Sequence, residues 1–338
     1  MHPERHRSHR SPRSRTAWLA SLLVAPLALA ATAASASAGV ACGARIAAGE
    51  AVVLDRDLAC DDVAAALIVT GPAVVDLNGF ALGCTADGVR RVGVVLVGEG
   101  ATLRNGTVAD CHHGVLVAGR GRHVVDDVAV IGASDGFTLA SDANRVTASH
   151  AFFNRDRGFV VTGDGNAVAD STAAGNAIGF RVAGRATLSR NVADRNEREG
   201  YLVTGSGAAL HENRAIGSRI GFQVHGSGHH LVRNEGRGNL LGVFLDRATR
   251  DNLVLLNVMS GNLFTGIVAT GDGNRLAMNH ASDNAAHGVQ VTSSARSTTV
   301  VGTTARSNGV HDLADDTPGC GAVWRENEFE TSNQPCIR

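Results

Sequence analysis

The chain has 338 residues, of which 44% are hydrophobic, 41 are glycine and only 4% are aromatic, and its formal net charge is −1. The ordinary apolar content and small net charge exclude a disordered chain. The sequence contains no lysine, and its abundance of glycine, asparagine and valine disfavours a helical bundle. A near-neutral charge also argues against nucleic acid as a partner.

Residues 1–38 have the pattern of a signal peptide. Five arginines between Arg5 and Arg15 precede an apolar stretch over residues 17–31, and Ala36-Ser37-Ala38 is a small-residue cleavage site. We therefore expect cleavage after Ala38 and a secreted or periplasmic protein without a membrane span. The apolar stretch is short for a transmembrane anchor.

All six cysteines follow this leader, and an even number in an exported chain predicts disulfides. Their clustering along the sequence favours three pairs, although six cysteines allow many other connectivities. The favoured pairs are Cys42–Cys60, Cys84–Cys111 and Cys320–Cys336.

A glycine followed by an apolar-x-apolar triplet recurs from Gly93 to Gly288 at intervals of 21–24 residues. Such a period, with two short strands and turn residues in each repeat, predicts a solenoid of parallel β rungs, about eleven in number. The residue after each glycine forms a uniformly apolar row that should stack inside: Val94, Val115, Phe137, Phe159, Phe180, Tyr201, Phe222, Val243, Ile267 and Val289.

Three further rows repeat with the same period. A second apolar row should also face the interior: Leu103, Val124, Val146, Val168, Leu210, Leu231 and Leu276. Asparagine side chains at turns can form hydrogen-bonded ladders between rungs. One such row precedes the glycines: Asn154, Asn176, Asn196, Asn239, Asn262 and Asn284. The other lies between the strands: Asn105, Asp127, Asp170, Asn191, Asn213, Asn234 and Asn279.

These repeats resemble secreted right-handed parallel β-helix proteins of the pectate-lyase-like fold. The motifs Val75-Asp-Leu-Asn-Gly79 and Leu103-Arg-Asn-Gly-Thr107, and the tail from Cys320 to Cys336, are similar to a bacterial family of β-helix repeat proteins. Phe80 departs from the histidine that this family often carries there. The resemblance implies an all-β, single-stranded right-handed β-helix and implies no particular activity, since the fold hosts many.

The repeat boundaries suggest four segments. We expect a signal peptide over 1–38, an N-terminal cap with the first rungs over 39–92, regular rungs over 93–310 and a C-terminal cap over 311–338. The cysteine pairs fall near the two ends, where a rung has only one neighbour. We expect a monomer.

Charged residues just before the repeat glycines fall on neighbouring rungs, within about 10 Å of one another. Arg181 is the only charge in the outward row from Leu116 to Gln223. Arginines can hold the carboxylates of an acidic sugar, while histidine and aspartate can orient it or relay protons. The candidate substrate-binding residues are Arg157 and Arg181, and the candidate catalytic residues are His112, His113, Asp135 and Asp156. Ordinary paired surface charges are the alternative.

No metal or cofactor is predicted, but two weaker patterns exist. Four histidines on adjacent rungs could bind copper or zinc: His211, His225, His229 and His230. Asp164 and Asp272 occupy identical Gly-Asp-Gly-Asn turns that hint at calcium, although five rungs separate them and one carboxylate is too few.

The sequence therefore favours an exported protein that binds an extracellular or cell-envelope polysaccharide. Whether it also processes that polysaccharide, as a lyase or a glycoside hydrolase, stays open. Two alternatives remain: a non-catalytic structural or adhesive solenoid, and a periplasmic copper-associated accessory protein.

Overall fold

A computed structural model describes residues 39–84 and 90–338; the predicted signal peptide lies outside these residues. They form short strands and no helix, and therefore no helix that could cross a membrane. The strands are β1 (Ala44–Ile46), β2 (Ala51–Val53), β3 (Leu58–Ala59), β4 (Ala65–Gly71), β5 (Val74–Asp76), β6 (Ala81–Gly83), β7 (Val92–Gly98), β8 (Thr102–Ala109), β9 (His113–Val117), β10 (Val124–Ile131), β11 (Asp135–Leu139), β12 (Arg145–Thr147), β13 (His150–Phe152), β14 (Arg157–Val161), β15 (Ala167–Ala169), β16 (Thr172–Ala174), β17 (Ile178–Val182), β18 (Thr187–Ser189), β19 (Val192–Asp194), β20 (Glu199–Val203), β21 (Ala209–His211), β22 (Arg214–Ile216), β23 (Ile220–Val224), β24 (His230–Val232), β25 (Glu235–Arg237), β26 (Leu241–Leu245), β27 (Leu253–Leu255), β28 (Val258–Met259), β29 (Thr265–Ala269), β30 (Arg275–Ala277), β31 (His287–Val291), β32 (Thr299–Val301), β33 (His311–Asp315) and β34 (Val323–Arg325).

Each turn of the chain contributes strands to parallel sheets that run the length of the solenoid. The front sheet has thirteen strands in the order β1-β4-β7-β9-β11-β14-β17-β20-β23-β26-β29-β31-β33. The second sheet runs from β2 and β5 to β32 and β34, and the third from β3 and β6 to β25 and β28. The long strands β8 and β10 belong to both of these. The predicted all-β parallel solenoid is confirmed.

The structure has thirteen turns, two more than the predicted number of about eleven. The predicted glycine row, from Gly93 to Gly288, leaves out three front strands. In β4 and β33 the glycine position is occupied by Ala66 and Asp312. In β1 it is occupied by Gly43, which precedes Ala44–Ile46 but lies outside the predicted row.

The first-position row lies in the core as predicted. Phe137, Phe159, Phe180, Tyr201 and Phe222 are fully buried. Their rings stack with centroid separations of 4.7–4.8 Å and interplanar angles of 5–7°. The separation equals the spacing of the turns, so each ring covers the next and excludes water from the front half of the core.

The repeat glycine is required by close packing. A Cβ on Gly158 would lie 2.7 Å from the Gly179 carbonyl oxygen and 2.9 Å from the Ala173 Cβ. The front sheet therefore lies close to the third sheet, whose inward residues on the central turns are Ala151, Ala173, Ala193 and Ala215. This explains the glycine that made the repeat visible.

The second apolar row is confirmed except at one position. Val125, and not Val124, pairs with Leu103 and Val146 and is 1% exposed. The prediction was wrong by one residue there because both positions are valine, so composition could not fix the strand phase.

The asparagine row before the repeat glycines forms the predicted ladder. The Asn154 and Asn176 backbone N–H groups donate to the side-chain oxygens of Asn176 and Asn196, at 2.9 and 3.0 Å. The same pattern continues from Asn239 to Asn308.

The other predicted row mixes two adjacent positions. Asn191, Asn213, Asn234 and Asn279 belong to a buried ladder. Asn105, Asp127 and Asp170 instead precede that position and have φ values of 52–56°. Asparagine and aspartate are favoured at both places, in the ladder by hydrogen bonding and in the turn by tolerance of positive φ.

The three disulfides pair as predicted: Cys42–Cys60, Cys84–Cys111 and Cys320–Cys336.

Candidate functional site

The outer face of the front sheet brings several candidate residues together. His113, Asp135 and Arg157 are register partners on the consecutive strands β9, β11 and β14. The Arg157 Nε donates to Asp135 Oδ1 at 2.8 Å, and its Nη2 donates to Oδ2 at 3.2 Å. His113 Nδ1 lies 3.5 Å from Asp135 Oδ2 and makes no hydrogen bond within the described residues.

Burial and charge act in opposite directions on His113. Partial burial lowers the pKa of His113, and this effect exceeds the raising effect of the Asp135 carboxylate. The neighbouring His112, whose ring meets His113 edge-on at 4.6 Å, and Arg157 lower the pKa further. His113 is therefore neutral at pH 7 and can accept a proton.

Arg157 is held from two sides. Besides Asp135, whose side chain is only 7% exposed, its Nη2 contacts Asp156 Oδ2 at 2.9 Å. Both predicted acids thus neutralise one predicted substrate-binding arginine. The group has the character of an ion-pair network, which is the alternative that the sequence left open for these charges.

Arg181 differs from Arg157 because its register neighbours on both adjoining strands are apolar. It stands between Val160 and Leu202 in the outward row. Within residues 39–84 and 90–338, no hydrogen bond or ion pair to its guanidinium is observed. A partly exposed guanidinium without a partner in the outward row can bind an anion.

A second polar group, formed by Gln223, His225 and Asp246, lies two turns beyond Arg181. The sequence analysis did not predict that these residues contact one another. Gln223 follows Leu202 in the outward row, and its Nε2 donates to His225 Nε2 at 2.8 Å. His225 Nδ1 is hydrogen-bonded to Asp246 Oδ2 on the next turn. This arrangement fixes the tautomer, with the proton on Nδ1 and an accepting Nε2 that Gln223 covers.

The positions that follow the front strands would have shown this group. Thr204, His225 and Asp246 occupy equal offsets on consecutive turns, since their backbone N–H groups donate to Val182, Val203 and Val224.

Glu199 is another functional candidate that the sequence left unassigned. It lies in register with Ile178 and Ile220, one turn beyond Arg181. Its side chain is 8% exposed, Arg198 approaches Oε1 only to 3.6 Å, and Oε2 has no hydrogen-bond partner among the described residues. This oxygen is therefore buried without a hydrogen-bond partner among the described residues, and solvent does not reach it.

The four histidines proposed as a metal alternative are not brought together. His229 is fully buried, where its Nδ1 accepts from the Ala208 N–H and its Nε2 contacts the His225 carbonyl. His225 is engaged by Asp246 and Gln223, while His211 and His230 lie on the second sheet. These rings do not bring three ligating nitrogens within 4.8 Å of one another.

Other metal-binding patterns are also accounted for. Asp164 and Asp272 each accept a backbone N–H from the next turn, that of Arg185 at 2.9 Å and that of Arg296 at 2.8 Å. Among the described residues, one group of three side chains has ligand atoms close enough to hold a metal ion. It consists of Asp315, Cys320 and Cys336, and the two cysteines form a disulfide. In the described part of the chain, neither the four histidines nor Asp164 and Asp272 form a group of three metal-ligating side chains.

Two family models match the part of the chain that carries this geometry. The model for the right handed beta helix region matches residues 92–235. The model for the periplasmic copper-binding protein NosD matches residues 183–318. The chain is a right-handed parallel β-helix. No curated protein sequence matches it.

Solved structures share the β-helix fold at low sequence identity. A mannuronic-acid-specific polysaccharide lyase of family 6 from human gut microbiota is 13% identical, with a TM-score of 0.57 over 88% of this chain and 85% of that one. A mutant of the periplasmic alginate epimerase AlgG is 16% identical, with a TM-score of 0.49 over 79% and 78%. The A-module of the Azotobacter vinelandii epimerase AlgE4 is 15% identical, with a TM-score of 0.46 over 79% and 72%.

Proposed function

We propose that this exported β-helix binds an acidic polysaccharide along the outer face of its front sheet. The unpaired Arg181 guanidinium carries the proposal, since a uronate carboxylate would give it the partner that the protein does not. The three disulfides support export, because such bonds persist in oxidising compartments.

Further polar groups around Arg181 suit a sugar chain. Gln223 offers an amide two turns away, about 10 Å along the solenoid, and His225 lies beside it. Sugars present many hydroxyl groups, each of which can donate and accept. A chain that lies along the axis would meet these groups in succession.

Processing of the polysaccharide would use His225 or His113 as the proton acceptor. Each is a histidine beside a carboxylate, and the tautomer of His225 is fixed by Asp246. A lyase would release a product with an unsaturated sugar, which absorbs ultraviolet light. Binding without this absorbance would favour the adhesive alternative. The copper alternative is supported only by the match to the NosD model. The described histidines do not form a group of three ligands.

The test compares Arg181→Ala with Arg185→Ala. Arg185 is 74% exposed at a nearby turn and serves as a matched loss of charge. Polymannuronate is the first ligand to use, because the lyase that shares this fold is specific for mannuronic acid. We expect Arg181→Ala to weaken binding about tenfold with an unchanged melting temperature, and Arg185→Ala to bind like the parent protein.

The charge at position 181 can be tested separately. Arg181→Lys should retain part of the affinity, and salt should weaken binding to the parent more than to Arg181→Ala. If a polysaccharide binds the parent and Arg181→Ala equally, the front-sheet site is wrong.

A further inference from the structure

One aromatic side chain lies on the surface where neither the core nor the backbone requires it. Phe153 is 70% exposed, more than any other large hydrophobic residue in the described chain. It follows β13, at the corner that leads from the third sheet to the front sheet. Its φ of 55° lies in the left-handed region, which is unfavourable for a bulky residue.

The equivalent positions on the adjoining turns show that phenylalanine is not needed there. Gly132 and Gly175 occupy this place on the turns before and after, with φ values of 72° and 67°. Glycine adopts this conformation without strain. The chain therefore has a solvent-exposed phenyl group, on a strained backbone, at a position that suits glycine. We infer that Phe153 has a functional role.

The neighbouring turn leaves room for the ring. A Cβ on Gly175 would lie 2.6 Å from Phe153 Cδ1 and 2.8 Å from Cε1, so the ring extends over the Gly175 backbone. Phe152 lies beside it at 6.5 Å between centroids, and His150 stacks parallel to Phe152 at 5.5 Å. The result is a small aromatic surface with one freely accessible ring.

Charged groups flank this ring at regular spacing. Asp110 and Arg195 occupy the same corner position two turns before and two turns after Phe153, about 10 Å away. Arg195 is 80% exposed and contacts Asp194 at 3.1 Å. A stable protein interface buries about 800 Å² on each partner. One accessible aromatic ring with charged neighbours has a much smaller area, which suits a small ligand group better than a protein.

We propose that Phe153 is a stacking platform for one sugar ring of the bound polysaccharide. The apolar C–H face of a pyranose packs on the phenyl ring, and Arg195 is within reach of a carboxylate farther along the same chain. This inference rests on the proposed function and adds a second contact outside the front sheet. A polymer that turns the corner from Arg181 toward Phe153 would gain affinity from both.

Phe153→Trp provides a local reporter. The only other tryptophan in residues 39–338 is Trp324, which is 5% exposed. We expect polymannuronate to shift the emission of Phe153→Trp, as the indole leaves water for a sugar face. The matched control is Leu263→Trp, at a position 67% exposed on a distant turn, whose emission should not shift.

Phe153→Gly provides the binding test. This variant restores the residue of the adjoining turns, so its melting temperature should equal or exceed that of the parent protein. Its affinity for polymannuronate should fall about threefold to tenfold, the range of one aromatic contact. A marked fall in melting temperature would show that Phe153 is structural and would overturn the platform.

The outcomes separate the platform from the front-sheet site. If Arg181→Ala loses binding while Phe153→Gly does not and the Phe153→Trp emission is silent, the platform is wrong and the front-sheet site stands. If the Phe153→Trp emission shifts and Arg181→Ala binds normally, the platform stands and the front-sheet site is wrong. If no member of a panel of acidic and neutral polysaccharides shifts that emission, the platform is also wrong.

Discussion

Two buried histidines show how a side chain can replace asparagine inside this fold. His123 and His229 are fully buried, and their Nδ1 atoms accept from the N–H groups of Ala101 and Ala208 at 3.0 and 3.1 Å. The backbone N–H groups of His123 and His229 donate to the side-chain oxygens of Asn144 and Asn252. Each imidazole therefore performs the hydrogen bonding of a ladder amide. Burial lowers the pKa of both rings more than their backbone contacts raise it.

This arrangement predicts acid destabilisation. Because the folded pKa lies below the unfolded value of about 6.5, the contribution of each histidine is complete above about pH 6.5 and is lost as the pH falls through the lower folded pKa. Protonation of Nδ1 would also remove its acceptor. His229→Asn keeps the acceptor and should reduce the loss of melting temperature between neutral and acidic pH.

The control for this prediction is His230→Asn, because His230 is an exposed neighbour. It should leave the pH dependence of the melting temperature unchanged. Equal pH dependence in the parent protein and in His229→Asn would show that His229 does not link protonation to folding.

At the scale of the element, the buried asparagine ladders fix the turns between sheets. Asn213 shows the full pattern: its side-chain oxygen accepts from the Asn191 N–H at 3.0 Å, its amide donates to the Leu188 carbonyl at 2.9 Å, and its own N–H donates to Asn234 at 2.9 Å. These links join the backbone of one turn to the turns before and after it, and they give buried backbone groups a partner.

Asn213→Ala should therefore destabilise the protein strongly. The substitution leaves the Asn191 N–H and the Leu188 carbonyl buried without these partners, at a cost of about 1–3 kcal/mol each. Asn213→Ser should cost less, because serine occupies the same ladder at Ser171 and accepts there from the Ser149 N–H. Chemical denaturation of both variants tests this order, and equal stabilities would contradict it.

Periodicity predicted the repeating elements well, but it could not resolve neighbouring positions. The glycine row and the row after it were correct because each position has one strict requirement. No Cβ fits at Gly158, and the side chain at Phe180 must be apolar because it lies in the core. Val124 was misplaced because the adjacent Val125 satisfies the same rule. Asp170 was misplaced because the turn and the ladder select similar residues.

For the candidate site, the sequence predicted which residues lie on neighbouring turns better than it predicted how their side chains pair. Register brought His113, Asp135 and Arg157 together, as equal offsets from the repeat glycine required. The sequence allowed that Asp135 and Asp156 pair with Arg157, but it could not decide between that pairing and a guanidinium free to bind a ligand. The sequence also did not predict the contact between His225 and Asp246. The position of a residue within the repeat does not give the orientation of its side chain, and the pairing depends on that orientation.

At the scale of the whole molecule, a solenoid has a core that must be closed at its ends. The second interior row ends in Trp324, which pairs with Val300 and is 5% exposed. Its Nε1 donates to Asp315 Oδ2 at 2.8 Å, and Asp315 also accepts from the N–H of Thr317 at 2.9 Å. The Cys320–Cys336 disulfide closes the loop that contains Trp324. The last turn has a neighbour on one side only, so these contacts must replace the missing one.

The final prediction concerns this C-terminal end. Cys320→Ser/Cys336→Ser should loosen the last turn while the central turns persist, because each turn depends mainly on its neighbours. Trp324 is the only tryptophan in residues 39–338, so its emission should move to longer wavelength as it meets water. Hydrogen exchange should accelerate in β33 and β34 and stay slow in β17 and β20. The matched control, Cys42→Ser/Cys60→Ser, opens the opposite end and should leave the Trp324 emission unchanged. Loss of protection throughout the molecule in either variant would show that the solenoid unfolds as one unit and that its ends do not respond independently.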